Sequence, residues 1–274
     1  MILGVSILSD RLLLALHHGG KREPEFTSLS HGLGDMFHDV SDRSIWQILG
    51  EATADHVAKA DKIVFSVPSS LSYLKNIEID QKSAEGDQGY FDWLASTQLP
   101  GDLSFYKYEF LPLRTSFDGS RVEMIFFAAP AKQLANVLQA LRPDDESRLI
   151  RALPEQLGLV RVIEKSLAKD DIPQAGIVNF ENAGASAVYV KSGRFDHCRF
   201  FSKLPAPLGD LPTDVETYFL SRADSAESLP LIITGLPGDF KTSWSPIVPA
   251  FMGIHNLEYA GAWGVADYTG SEAE

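Results

Sequence analysis

Apolar side chains recur at every second position in the opening stretch of the chain and shift to helical spacing soon afterwards. Leu3, Val5 and Ile7 make one short strand, Ser9-Asp10 turns the chain, and Leu12 to Leu16 make a second. His18-Gly19-Gly20-Lys21 turns it again before a third strand from Pro24 to Leu29. Ile45, Ile48, Leu49, Ala52, His56 and Val57 then repeat at helical spacing behind Asp42, a side chain suited to an N-cap. In 61-DKIVFSVPSSLSYLKNIEI-79 two strands flank a break at Pro68-Ser69-Ser70. The run from Lys62 to Val67 is nearly all apolar, as in a strand covered on both faces.

The texture changes after residue 80. QKSAEGDQ reads as a loose polar connection, GYFDWLASTQL as a short helix, and 103-LSFYKYEFLPL-113 as an alternating aromatic strand. The pattern predicts a buried strand in 121-RVEMIFFAAP-130 and a helix from Ala131 to Leu141. Residues 147 to 168 look helical, with Pro154 interrupting or restarting the pattern. Further on, 176-GIVNFENAGASAVYVKSGRF-195 is strand, tight turn, strand: Ile177, Val178 and Phe180 lead in, Asn182, Ala183 and Gly184 suit the turn, and Ala187 to Val190 lead out. A helix from Thr213 to Ala223, a strand in 229-LPLIITG-235, a Gly- and Pro-rich loop and an amphipathic piece, 257-LEYAGAWGVADY-268, complete the chain. The terminal GSEAE is expected to be disordered. One strand-turn-strand unit opens the chain and another opens at Gly176. This suggests two related halves divided near residues 165 to 175, where AKDDIPQ is loop-like.

Composition narrows the function classes. With 45% hydrophobic residues in 274, the chain can bury a sizeable core, in one large domain or two ordinary ones. Lys and Arg total 24 against 37 Asp and Glu, a net charge of −13. Nucleic-acid binding needs a basic footprint, which is missing, and the same charge opposes direct attraction to anionic lipid. Cys198 is the only cysteine, so no disulfide or thiolate metal site forms within one chain, and a reducing compartment fits. The apolar start, MILGVSILSDRLLLALHHGG, is broken by Ser6, Ser9, Asp10 and Arg11 and lacks a basic leader and a cleavage site. No run reaches the roughly 18 apolar residues of a membrane span. The expectation is a cytoplasmic protein.

Several side-chain clusters have a plain reading that outweighs the chemical one. His17-His18 and His197-Cys198 are adjacent pairs, which a strand points to opposite faces, so neither is expected to ligate a metal. Asp144-Asp145-Glu146 suits a solvated turn or helix N-cap. Ser69-Ser70 lacks the glycines of a nucleophile turn. Gly32-Leu33-Gly34-Asp35 is too short for a dinucleotide loop. Phe126-Phe127 and Phe200-Phe201 suit core strands. Trp93, Trp244 and Trp263 are candidates for a partner groove, against the usual burial of large aromatics.

Two hairpin-led halves with a glycine loop after a late strand resemble the plan of actin-like ATPases. In detail the chain resembles the type IV pilus assembly branch of that superfamily, the PilM-type proteins, and more distantly their type II secretion counterparts. The resemblance is carried by 62-KIVFSVPSSLSYLKNIEI-79, 90-YFDWLASTQLPGDLSFYKYEFLPL-113, 123-EMIFFAAPAKQLANVLQAL-141 and 257-LEYAGAWGVADY-268, in that order. It implies an Asp-x-Gly in each hairpin, where the glycine admits phosphate and the aspartate holds magnesium through water. Here Ser6 and Leu8 stand at those positions in the first hairpin, and Asn179 and Glu181 in the second. The late turn, 232-IITGLPGDF-240, keeps Gly235 and Gly238 but places Leu236-Pro237 between them. Between Ser202 and Leu229 the chain supplies one helix at most, where the family places a helical subdomain beside the adenine.

The resemblance therefore implies an α/β chain of two actin-like, ribonuclease-H-like lobes with the second shortened. Residues 1–165 would form the first lobe, with a small subdomain inserted at about 80–120. Residues 166–274 would form the second, the last helix returning to the first. Its function would be that of a non-catalytic scaffold without cofactor or metal in a type IV pilus or type II secretion machine. It would bind a short cytoplasmic segment of a membrane-anchored protein in a groove of the first half and so associate indirectly with the inner membrane. A basic juxtamembrane segment would suit the acidic charge, and self-association is compatible with the same role. Two alternatives stand beside this reading: an active ATPase or sugar-kinase-like enzyme with a rearranged phosphate site, and a paralogue serving another complex.

Overall fold

A computed structural model gives the fold over residues 1–7, 11–18, 24–30, 43–85, 88–116, 118–135, 149–181, 184–202, 213–222, 229–234 and 259–271. In chain order the elements are β1 (Ile2–Ile7), β2 (Arg11–His17), β3 (Glu25–Ser30), α1 (Arg43–Lys59), β4 (Lys62–Val67), β5 (Tyr73–Asp80), α2 (Gln81–Ala84) and α3 (Gln88–Gln98). There follow β6 (Tyr106–Thr115), β7 (Arg121–Pro130), β8 (Leu149–Pro154), α4 (Glu155–Lys169), β9 (Gln174–Glu181), β10 (Gly184–Lys191) and β11 (Arg194–Ser202). The last are α5 (Thr213–Leu220), β12 (Leu231–Thr234) and α6 (Ala260–Ser271). The chain divides into two compact units, residues 1–70 with 140–274, and residues 71–139.

The larger unit holds two sheets built on one plan. In the first, ordered β3-β2-β1-β4-β8, the antiparallel β1–β2 hairpin is joined on the far side of β1 by the parallel strands β4 and β8. In the second, ordered β11-β10-β9-β12, the β9–β10 hairpin is joined by β12, parallel to β9. The apolar run of β4 is buried from Ile63 to Val67, as its unbroken hydrophobicity requires. One face of the second sheet, with Val178, Ala185, Ala187 and Tyr189, is covered by Val215, Tyr218 and Phe219 of α5.

Two helices link the sheets. α6 packs on β1, β2 and β4, while α4 packs on β10 and β11 and lies along α6. Their approach depends on glycine. A Cβ at Gly264 would run into the Gly158 backbone, and one at Gly4 into the Ala262 carbonyl. Arg161 of α4 donates from Nε to Asp267 of α6 at 2.7 Å, and the other Asp267 oxygen lies 3.5 Å from His17 Nε2. Trp263 meets the Phe26 ring edge-on at 5.8 Å.

The smaller unit is an antiparallel sheet, β5-β7-β6, with α3 across one face. Ile79, Leu94, Val122 and Met124 form one core there, and Ala95, Leu99, Phe126 and Ala128 another. The aromatic alternation of β6 is used in full: Phe110 lies 5.0 Å from both Phe91 and Phe126. Asp102 caps the short 3-10 turn Leu103–Phe105 by accepting from the Ser104 amide at 2.8 Å.

Three expectations need correction. Residues 149–154 are a strand, and the helix starts only at Glu155, because Pro154 ends the pairing with β4 and pre-sets the first helical turn. The polar stretch after residue 80 contains the short helix α2 rather than a loose connection. Gly270 and Ser271, expected in a disordered tail, complete α6. Outside the described residues lie Ser9-Asp10, most of the His18 to Lys21 turn, the Asp42 cap, the helix beyond Ala135, Ala223 and the tail after Ser271. Asp144 to Glu146, the Gly32 loop and Trp244 lie outside them as well.

Candidate functional site

In open sheets with parallel strands, ligands gather at the carboxyl ends of those strands. Here the ends of β1 and β4 bring Ser6 and Ser66 together in register, with Leu153 of β8 beside Ser66, and the ends of β9 and β12 bring Asn179 and Thr234 together. Ser186 on β10 stands opposite Asn179 on the other side. The sequence thus puts a short polar row across each sheet where the strands finish.

The second row is a closed hydrogen-bond relay. Thr234 Oγ1 donates to Asn179 Oδ1 at 2.7 Å, and Asn179 Nδ2 donates to Glu155 Oε2 at 3.2 Å. Asn179 is 3% exposed and Glu155 5%. Glu155 is the first residue of α4, where the exposed amides of a helix start favour a carboxylate. Its other oxygen fills the space beside Gly261 of α6, where a Cβ would come within 2.6 Å of Oε1. In the first row Ser6 is buried opposite Ser66 of β4. The Ser66 and Ser186 hydroxyls are buried and find no hydrogen-bond partner among the described residues.

Of the residues singled out from the sequence, Ser6 and Asn179 sit near the ends of β1 and β9. Glu181 closes β9 opposite Gly184, while Leu8, Gly235 and Gly238 lie outside the described residues. Gly184 has φ +152°, and a Cβ there would overlap the Phe201 carbonyl, so the hairpin needs glycine at that corner. Sequence reasoning missed Glu155 and Thr234. Pro154-Glu155 is the available clue, hidden by helical spacing that runs straight through it. His17 pairs with Asp267, and His197 Nδ1 lies 3.1 Å from the Tyr218 hydroxyl. Burial pushes the Tyr218 hydroxyl far above its ordinary titration range, so it stays protonated. Ser69 and Ser70 belong to a 3-10 turn.

Magnesium and a triphosphate do not fit the described donors. Neither Ser6 nor Asn179 offers a carboxylate for a metal-bound water. Asn179 spends both ends of its amide on Thr234 and Glu155. The Glu155 carboxylate would face the phosphates with a like charge in a buried setting. Among the described residues no group of three or more His, Cys, Asp or Glu side chains converges.

No protein-family model matches the chain, and no curated protein matches it. Solved structures do. A PilM-PilN type IV pilus biogenesis complex aligns at 17% identity over 73% of this chain, with a TM-score of 0.58. The chain spans 61% of the length of that relative. The cytoplasmic domain of EpsL, an inner membrane component of the Vibrio cholerae type II secretion system, aligns at 10% identity over 100% of this chain and 95% of its own, TM-score 0.54. A Bacteroides thetaiotaomicron protein with an actin-like ATPase fold aligns at 11% identity over 87% of this chain and 83% of its own, TM-score 0.53. Two sheets, each a hairpin extended by a parallel strand and tied by two helices, give this chain the actin-like ATPase fold.

Proposed function

We propose that this chain is a non-catalytic actin-like scaffold of a bacterial type IV pilus or type II secretion machine, binding a cytoplasmic segment of a membrane-anchored partner. The observation that carries the reading is the Thr234–Asn179–Glu155 relay, which occupies with internal hydrogen bonds the strand ends where an ATPase would hold its nucleotide. The partner half draws on likeness to a PilM-PilN complex and to the cytoplasmic domain of EpsL. No helix among the described residues is long and apolar enough to cross a membrane. The net charge of −13 suits a basic juxtamembrane segment.

The test is thermal unfolding with and without millimolar Mg-ATP and Mg-ADP. A site of micromolar affinity would stabilise the native state by about 4 kcal/mol at that concentration, a shift of several degrees. The scaffold reading expects an unchanged midpoint. A clear shift, lost in Asn179→Ala, would establish the active-ATPase alternative instead.

A further inference from the structure

Arg121 and Arg161 each sit beside carboxylates, Arg121 on Glu78 and Arg161 on Glu164 and Asp267. Arg199 and Arg222 do not: among the described residues neither makes an ion pair, in a chain whose net charge is −13. Both are exposed. Strand register and a helix end bring them to one place. His197, Arg199 and Phe201 of β11 stand opposite Tyr189, Ala187 and Ala185 of β10, on the face that α5 covers. The Arg199 guanidinium carbon lies 5.0 Å from the centre of the Phe201 ring, and that ring meets Tyr218 of α5 edge-on at 6.1 Å. The Tyr218 hydroxyl lies 3.1 Å from His197 Nδ1, and Arg222 Nη2 lies 3.5 Å from His197 Nε2. The Arg222 amide donates to the Phe219 carbonyl at 3.0 Å, which holds the residue at the end of α5.

A helix carboxyl end favours one cation and an aromatic ring favours another. Neither effect accounts for two guanidinium groups gathered around one tyrosine without a carboxylate, or for one of them set against an imidazole that can itself take a proton. Both arginine charges reach the Tyr218 hydroxyl, where Asp196 and Cys198 act in the opposite sense. Asp196 supplies one negative charge against two permanent positive ones, so the local balance stays cationic. Like charges held together repel, and an oxyanion placed among them relieves that repulsion while accepting charge-assisted hydrogen bonds. A single guanidinium fork fits carboxylate and phosphate alike. Two forks with a histidine nearby fit the several oxygens and the double charge of a phosphate group better.

We propose that Arg199 and Arg222, with His197 beside them, form a binding site for a phosphate group. The site is separate from the Thr234–Asn179–Glu155 relay: Asn179 is in register with Ser186, and Ser186 with Phe200, so the relay lies on the opposite face of the sheet. The inference therefore stands or falls apart from the scaffold reading.

The test titrates inorganic phosphate into the full chain at fixed pH and ionic strength and follows the histidine ring signals by NMR, with that of His197 assigned from His197→Gln. The His197 signal is expected to move saturably, with about millimolar affinity. Arg199→Gln and Arg222→Gln, both surface changes, should each weaken binding about fivefold or more. Arg222→Lys, which keeps the charge and loses the fork, should fall between. Lys107→Gln, which removes an exposed charge in the other unit, should change nothing. No saturable movement, an equal movement with sodium chloride alone, or undiminished affinity in the double glutamine variant would each overturn the proposal. Sedimentation with vesicles of phosphatidylglycerol and phosphatidylcholine in equal parts then distinguishes the sources. Binding lost in the double variant assigns the phosphate to a lipid headgroup, and no sedimentation alongside phosphate binding assigns it to a soluble or protein-borne phosphate. Any midpoint shift that Mg-ATP causes through so weak a site is small and survives Asn179→Ala, so this test and the nucleotide scan stay distinct.

Discussion

Asn179 is the residue on which the candidate site turns, because its amide accepts from one strand end and donates to a helix start. Truncation leaves the Thr234 hydroxyl short of an acceptor and Glu155 short of a donor, in a setting where each buried unpartnered group costs about 1–3 kcal/mol. Asn179→Ala is therefore expected to cost stability of about that size, read as a lower urea midpoint at unchanged m. Thr234→Val, which keeps the shape and loses one donor, should cost less. The double variant should cost less than the sum, since both changes break the same relay. Strictly additive losses would mean the two bonds act independently. Nothing in the sequence announced this relay, because Asn179, Glu155 and Thr234 lie far apart along the chain and only strand register brings them together. The polar substitution at Asn179 was legible; the partner that made sense of it was not.

Among the elements, the α4–α6 crossing makes the sharpest contrast. At Gly264 an added methyl meets the Gly158 backbone, which cannot give way without separating the helices. At Gly261 it meets the end of the Glu155 side chain, which can rotate. Gly264→Ala should thus cost about 1–3 kcal/mol or more through overpacking. Gly261→Ala should cost less and act by loosening the relay, and calorimetric midpoints would rank the two. A similar cost at both sites would argue against the close crossing. The turn between β6 and β7 carries a pH prediction. Ser116 Oγ first, then the Ser120 amide and hydroxyl, donate to Asp118 and hold its carboxyl down at about 2. A carboxylate depressed on folding stabilises fully above its unfolded value and stops doing so as pH falls through the folded one. Protection of the Ser120 amide, measured against its intrinsic exchange rate, should accordingly fall between about pH 4 and pH 2. Asp118→Ala should flatten that response, and an unchanged profile in the variant would remove Asp118 as its cause. Strands with strict alternation, such as β1 and β6, were legible from side-chain period alone. β8 was not: LIRALP is short, and the helical spacing continuing past Pro154 absorbed it.

At the scale of the whole molecule, one topological fact reaches beyond the native state. β4 and β8 lie side by side in parallel register, yet the entire 71–139 unit is threaded between them. Hairpins close over a few residues, whereas joining β8 to β4 means closing a loop that spans residues 68–148. The larger sheet therefore has a built-in waiting step. The inserted unit, whose β6–β7 hairpin and α3 lie within a short stretch of chain, condenses early and draws the ends of that loop together, and β8 docks last. Pulse-labelled hydrogen exchange during refolding should find β5 to β7 amides protected before those of β8, and the reverse order would refute the scheme. On this account a lesion in the small unit does harm at a distance in time rather than in space. A chain that stalls there leaves the β4 edge bare, apolar and available to other chains, so inclusion-prone variants should cluster in a segment that contributes no strand to the sheet they expose.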